Sequence, residues 1–226
     1  MAWTPLPDEV TLTITTPKPK AFELDPAKTL VVVVDMENYF CKNGNQRSYD
    51  VIAGNERLLA KARAAGAKVI FIQSVRTPEA LEVTRFGRKP MLLEGTPDVE
   101  IVEEIAPLPG EPVIQKWGHD PFARTALDGV LFWQGITPHE WTVLVTGVSA
   151  AVCAHACAMG FSNRHYYTLI PMDCTAASIE DEARTYTQYM GGGYNFNMDF
   201  TLSTMVEFVS PSVESIAEPE KVPALV

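Results

Sequence analysis

The segment that most constrains the fold is residues 29–34, a Thr-Leu-Val-Val-Val-Val run closed by Asp35. A run with no polar alternation has no face to give to water, so it predicts a strand covered on both sides, as in a parallel sheet. The next segments keep that rhythm. Residues 55–65 are rich in Ala, Leu and Arg and stop at Gly66, and residues 68–73 (KVIFIQ) are apolar again, which predicts helix, glycine stop and second strand. Residues 112–116 predict a short strand, 124–133 a helix ending near Gly135, 141–146 a buried strand, 151–163 a helix and 166–171 a further strand. Alternating strands and helices with right-handed crossovers predict an α/β fold, a three-layer αβα sandwich around a doubly wound, mostly parallel sheet.

At 226 residues the chain is expected to form one domain, residues 29–210, with a proline-containing extended arm at 1–28 and a tail at 211–226. Hydrophobic residues at 46% and charged ones at 20% exclude a disordered chain. A net charge of −10 without a local Lys/Arg cluster argues against nucleic acid and membrane surfaces as partners. Four cysteines (Cys41, Cys153, Cys157, Cys174) are too few for a disulfide scaffold, so reduced thiols and a cytoplasmic location are expected. The first residues lack the basic start and apolar run of a signal peptide, and no stretch approaches the roughly 18 apolar residues of a membrane helix.

Ligands of such sheets sit at the carboxyl ends of the strands. Three residues able to do chemistry fall there: Asp35, Lys116 and Cys153. Cys153 comes after Thr146-Gly-Val, a strand-to-helix turn, where a helix N-terminus favours thiolate; a lowered pKa and fast labelling are therefore expected. Asp35 is placed to act as base, and Lys116 to stay beside carboxylate and thiolate. Taken singly, each has a plain reading as buried cysteine, turn cap or solvated lysine. Nucleophile, base and cation on three strand ends make the set that acyl transfer needs.

Four segments resemble the isochorismatase-like cysteine hydrolases: residues 31–40 (VVVVDMENYF), Lys116 with Phe122, Thr125, Leu127 and Asp128, residues 145–153 (VTGVSAAVC), and residues 172–177 (MDCTAA). The resemblance spans roughly residues 29–208. It implies an Asp35, Lys116 and Cys153 triad, a cis peptide before Ser149, and an oxyanion hole from the backbone N–H groups of Ser149 and Cys153. The implied activity is cleavage of the C–N bond of a small amide or ureido substrate through a thioester, without cofactor or metal, in a homo-oligomer.

Departures from the family pattern bear on substrate. Glu37 stands where relatives carry Gln, and is expected either to add negative charge to the pocket or to face solvent. Trp117 and His119 occupy the loop that lines the pocket in relatives, and Phe40, Trp117 and Phe122 join Glu37 as expected substrate contacts. Glu37 leaves a neutral or cationic substrate as the expectation. The four histidines fall late and form no HxH or HxxxH pair, Cys157 is expected to pack one turn below Cys153, and Gly191-Gly-Gly193 reads as a turn. Isochorismatase-type vinyl-ether hydrolysis and a catalytically silent binding module are the competing readings. Cys153 argues against the first and the intact triad against the second.

Overall fold

Every residue of the Thr29–Val34 run is buried at the centre of a parallel sheet. The computed structural model describes residues 11, 13–43, 46–190 and 197–210. In chain order the elements are β1 (Phe22–Leu24), β2 (Thr29–Val34), α1 (Asn38–Cys41), α2 (Gln46–Asp50), α3 (Ile52–Ala65), β3 (Lys68–Ser74) and α4 (Leu81–Thr84). They continue with β4 (Val113–Lys116), α5 (Leu127–Trp133), β5 (Thr142–Val148), α6 (Cys153–Asn163), β6 (Tyr167–Pro171), β7 (Thr175–Ala176), α7 (Ile179–Arg184), β8 (Met198–Thr201) and β9 (Val206–Phe208).

The main sheet runs β4-β3-β2-β5-β6-β8, parallel throughout, with β7 pairing beside the end of β5. Side chains alternate across its two faces. Leu30, Val32 and Val34 pack into one core with residues of α5 and α6, and Val31 and Val33 pack into the other with residues of α3. Each fully buried aliphatic side chain contributes about 1.5–3 kcal/mol, which is why an all-apolar run settles between two helical layers. Gly66 ends α3 at φ +80 with its N–H on the carbonyls of Ala62 and Arg63, the left-handed stop expected from the sequence.

The chain leaves β2 in one direction for β3 and β4, then returns to place β5 on the other side of β2. The strand order therefore reverses between β2 and β5, and a crevice at their carboxyl ends is the favoured ligand position in such sheets. Gly147 makes the close approach there possible. Its φ is +96, and a Cβ would lie 1.9 Å from the Val34 carbonyl oxygen.

Several boundaries differ from the sequence expectation, and three of them have a cause in the backbone or its pairing. Helix α5 starts at Leu127, because Arg124 adopts φ +60 and cannot continue a helical turn; the Thr125 hydroxyl instead accepts the Leu127 N–H at 3.2 Å. Helix α6 starts at Cys153, because Val152 sits at φ −130 and ψ −89. The end of the arm belongs to the folded body: Phe22 and Leu24 turn inward around Glu23, and β1 pairs in parallel with β9. The glycine run 191–193 and the tail 211–226 lie outside the described residues. Among the described residues no helix is long and apolar enough to cross a membrane.

Candidate active site

Asp35 comes directly after β2 and takes φ +52, a left-handed conformation that Asp tolerates better than most residues. Its N–H is tied to the Ile72 carbonyl at 2.9 Å, which turns the side chain off the strand line at the reversal point. Its Oδ2 accepts from Lys116 Nζ at 2.8 Å, while Oδ1 has no hydrogen-bond partner among the described residues. Lys116 ends β4, two strands away. It also donates to Ser74 Oγ at 2.7 Å and to the Gly118 carbonyl at 3.1 Å, so all three ammonium protons are used.

Both side chains are fully buried. Burial alone pulls the Lys116 pKa down, but the Asp35 carboxylate, and after it the Cys153 sulfur, push it up and prevail. The ammonium therefore stays charged in a dry setting, where an ion pair is tolerated only with its hydrogen bonds complete.

Cys153 opens α6, and its residue is 8% exposed. The peptide bond between Val148 and Ser149, at the end of β5, is cis. The Ser149 carbonyl accepts the N–H groups of Val152 and Ala154 at 3.0 Å each, so the turn into α6 is tight. The thiol does not show the lowered pKa expected at a helix start. Burial first, and the Asp35 charge second, push it up to about 12 against the opposing pull of Lys116. A helix terminus gives a charge typically 0.3–1 kcal/mol, too little to overcome burial next to a carboxylate. The resting sulfur carries its proton, between a carboxylate and an ammonium.

The structure also corrects Glu37. The strand does not extend to it: Met36 and Asn38 are clamped to Val102 and Glu100 by backbone hydrogen bonds, and Glu37 bridges Ile101. Its side chain is fully buried, with Oε1 accepting the Ser74 N–H at 2.5 Å and Oε2 without a partner among the described residues. Burial, then the nearby Asp35 charge, raise its pKa well above the ordinary 4.5, against the Ser74 N–H and Lys116. It is held on the Ser74 N–H in the interior, not facing solvent.

Of the expected contacts, Trp117 is 68% exposed and stands between two hollows. One, of about 390 Å³, is lined by Arg76, Leu81 and Glu82 among others; the second, of about 420 Å³, by Gln115, Gly118 and Arg124. Phe40 is half-buried, edge-on to Tyr39 at 5.2 Å. Phe122 belongs to the core: its ring meets Phe161 edge-on at 4.9 Å, lies beneath the Arg164 guanidinium at 3.6 Å, and presses on Gly160 so closely that a Cβ there would fall 2.5 Å from it. Gly160 and Phe161 sit toward the far end of α6, about 10–12 Å along the helix from Cys153 at 1.5 Å per residue, and Arg164 follows its last residue. Cys157 is buried and its pKa is pushed well up, chiefly by burial, in keeping with a packing role.

Residues 29–195 match the Isochorismatase domain family. The chain belongs to the isochorismatase family. Relatives include a ureidoacrylate amidohydrolase of Methylobacterium radiotolerans, 29% identical over 186 residues and covering 70% of each chain. One from Methylorubrum extorquens is 30% identical over 187 residues, 70% of this chain and 73% of that one. Among solved structures, N-carbamoylsarcosine amidase from Thermoplasma acidophilum aligns with TM-score 0.65 and 26% identity, over 78% of this chain and 96% of that one. A cysteine hydrolase from Pseudomonas syringae pv. phaseolicola, at 23% identity and TM-score 0.69 over 83% and 94%, shares the fold.

Within this isochorismatase-family site the residue reading missed three contacts. Ser74 ties Lys116 to Glu37, using its hydroxyl for one and its N–H for the other. The Gly118 carbonyl takes the last lysine proton. Nδ1 of the exposed His119 lies 3.3 Å from Cys153 Sγ. Ser74 ends β3, so its strand-end position was a usable signal; the resemblance put His119 in the pocket loop, but nothing in the spacing marks its contact with Cys153.

Proposed function

We propose that the chain is a cysteine hydrolase that cleaves the C–N bond of a small amide or ureido compound, with Cys153 as nucleophile. The observation that carries this reading is the buried Cys153 at the start of α6, within the electrostatic reach of a buried Asp35–Lys116 ion pair at the strand ends. Asp35 takes the thiol proton as the sulfur attacks the substrate carbonyl. Lys116 keeps positive charge beside the sulfur while it is anionic. The backbone N–H groups of Ser149 and Cys153 hold the oxyanion. The C–N bond breaks, the nitrogen leaves with the proton from Asp35, and water hydrolyses the thioester.

The relatives named for ureidoacrylate and N-carbamoylsarcosine make ureido and carbamoyl compounds the first substrates to test. Trp117 offers a flat wall for the rest of such a molecule. The test is ammonia release from a panel of amides, ureas and carbamoyl compounds, by wild type and by Cys153→Ala. Release that depends on Cys153 is expected from at least one ureido or carbamoyl compound. Release by Cys153→Ala at the wild-type rate refutes the nucleophile, and silence across the panel favours a binding role.

The same proposal includes a homo-oligomer. Phe132 and Trp133 of α5 are 78% and 85% exposed, and Trp133 shares a hollow with Pro109 and Pro112 beside the edge strand β4. With all four cysteines free and buried, a reducing compartment such as the cytoplasm is the proposed setting.

A further inference from the structure

The Cys153 sulfur has a dry side and a wet side. Asp35 and Lys116 reach it from beneath the strand ends, both fully buried. His119 reaches it from an exposed loop, with Nδ1 3.3 Å from Sγ. That loop is fixed at both ends. Lys116 Nζ holds the Gly118 carbonyl at 3.1 Å, and Asp120 Oδ1 accepts the Phe122 N–H at 2.9 Å. Phe122 is in turn packed on α6, the helix that begins at Cys153. The imidazole is therefore positioned by the elements that carry the ion pair and the thiol.

Resting on Cys153 as nucleophile, we propose that His119 is a fourth catalytic residue, the group that activates water in the thioester-hydrolysing half of the reaction. In the first half Asp35 takes the thiol proton and passes it to the leaving nitrogen, which returns Asp35 to the carboxylate on the buried side of the sulfur. The thioester sulfur then has no proton, and the water that must attack arrives from solvent, where His119 stands. Neutral imidazole has one nitrogen with a free lone pair. Nδ1 takes a proton from the water as its oxygen bonds to the thioester carbonyl carbon. The C–S bond breaks with its electron pair on sulfur, and the Nδ1 proton passes to Sγ over the contact seen here. The acid product leaves, and thiol and neutral imidazole are restored.

The test uses p-nitrophenyl acetate, whose acetyl transfer to a thiol releases coloured nitrophenolate, so it does not depend on the natural substrate. His119→Gln, at an exposed position, is expected to keep the wild-type burst of nitrophenolate, then turn over about 10²-fold more slowly, the lower range for one lost general base. An acetyl group should accumulate on the Cys153 peptide by mass, and hydroxylamine, which needs no base to attack a thioester, should restore turnover. His119→Asn, checked for an unchanged melting temperature, should behave alike. Unchanged turnover overturns the proposal, as does a burst that falls in step with turnover and leaves no acetyl enzyme. Cys153→Ala separates the two readings: a burst that survives in it refutes the nucleophile, whatever His119 does.

Discussion

At the residue scale, the thiol with its pKa pushed up to about 12 gives a reading of Asp35 that kinetics can check. The Asp35 charge is the second cause of that rise, after burial, and Lys116 opposes it. Asp35→Asn should therefore bring the Cys153 titration down, and iodoacetamide labelling at a fixed alkaline pH should speed up while turnover collapses. In the wild type, labelling should climb without a plateau below about pH 9, the region where an ordinary thiol titrates. Equal labelling profiles in the two proteins would mean that Asp35 does not act on the sulfur. Glu37 yields the opposite kind of forecast. Its raised pKa means that the folded protein holds this proton more tightly than the unfolded chain does. That stability is fully present below 4.5 and is lost as pH rises through the elevated folded value. Glu37→Gln keeps an acceptor for the Ser74 N–H and removes the titration. Its melting temperature should match wild type in acid and exceed it at neutral pH, with an unchanged substrate profile, since the side chain is buried. A new preference for anionic amides would contradict this.

At the scale of elements, the site depends on β2 and β5 meeting without a side chain between them. Gly147→Ala would drive a Cβ into the Val34 carbonyl in a backbone conformation that alanine resists, so soluble yield and urea midpoint should both fall sharply. Asp173, from the MDCTAA segment, holds the Ser203 N–H at 2.7 Å, the Ser203 hydroxyl and Arg57, and ties α3 to the β8–β9 turn. Its pKa is lowered, burial being outweighed by the Ser203 and Arg57 contacts. Asp173→Ala should cost about 1–3 kcal/mol of unfolding free energy by leaving donors unpaired, with little change in KM. The elements legible in the sequence were the strands buried on both faces, β2, β3 and β5, and the helix α3 with its glycine stop; they differ from expectation by three residues or fewer at any end. Strands β1, β7, β8 and β9 have two to four residues each and gain their partners only from distant chain, so no local pattern marks them. In the site, the strand-end positions of Asp35 and Lys116 and the place of Cys153 in the turn from β5 into α6 were legible because each comes at or just after the end of a predicted strand. The burial of Glu37 and the contact of His119 were not, because a clamp by residues 100–102 and the loop of residues 117–126 between β4 and α5 create them.

At the scale of the molecule, the two exposed aromatics on α5 lie beside an edge strand, and self-association is expected to cover them. Trp133→Glu should shift sedimentation toward a smaller species; a wild type that sediments as a monomer would remove this part of the proposal. A thioester formed on Cys153 from a ureido or carbamoyl substrate is a species that mass spectrometry can observe. With the compound that releases ammonia most rapidly, turnover should be quenched in acid within the first cycle and the protein digested. The prediction is an acyl increment of the substrate's carbonyl portion on the Cys153 peptide, absent without substrate and enriched in His119→Gln. Turnover with that peptide unmodified at every quench time, in both proteins, would contradict it.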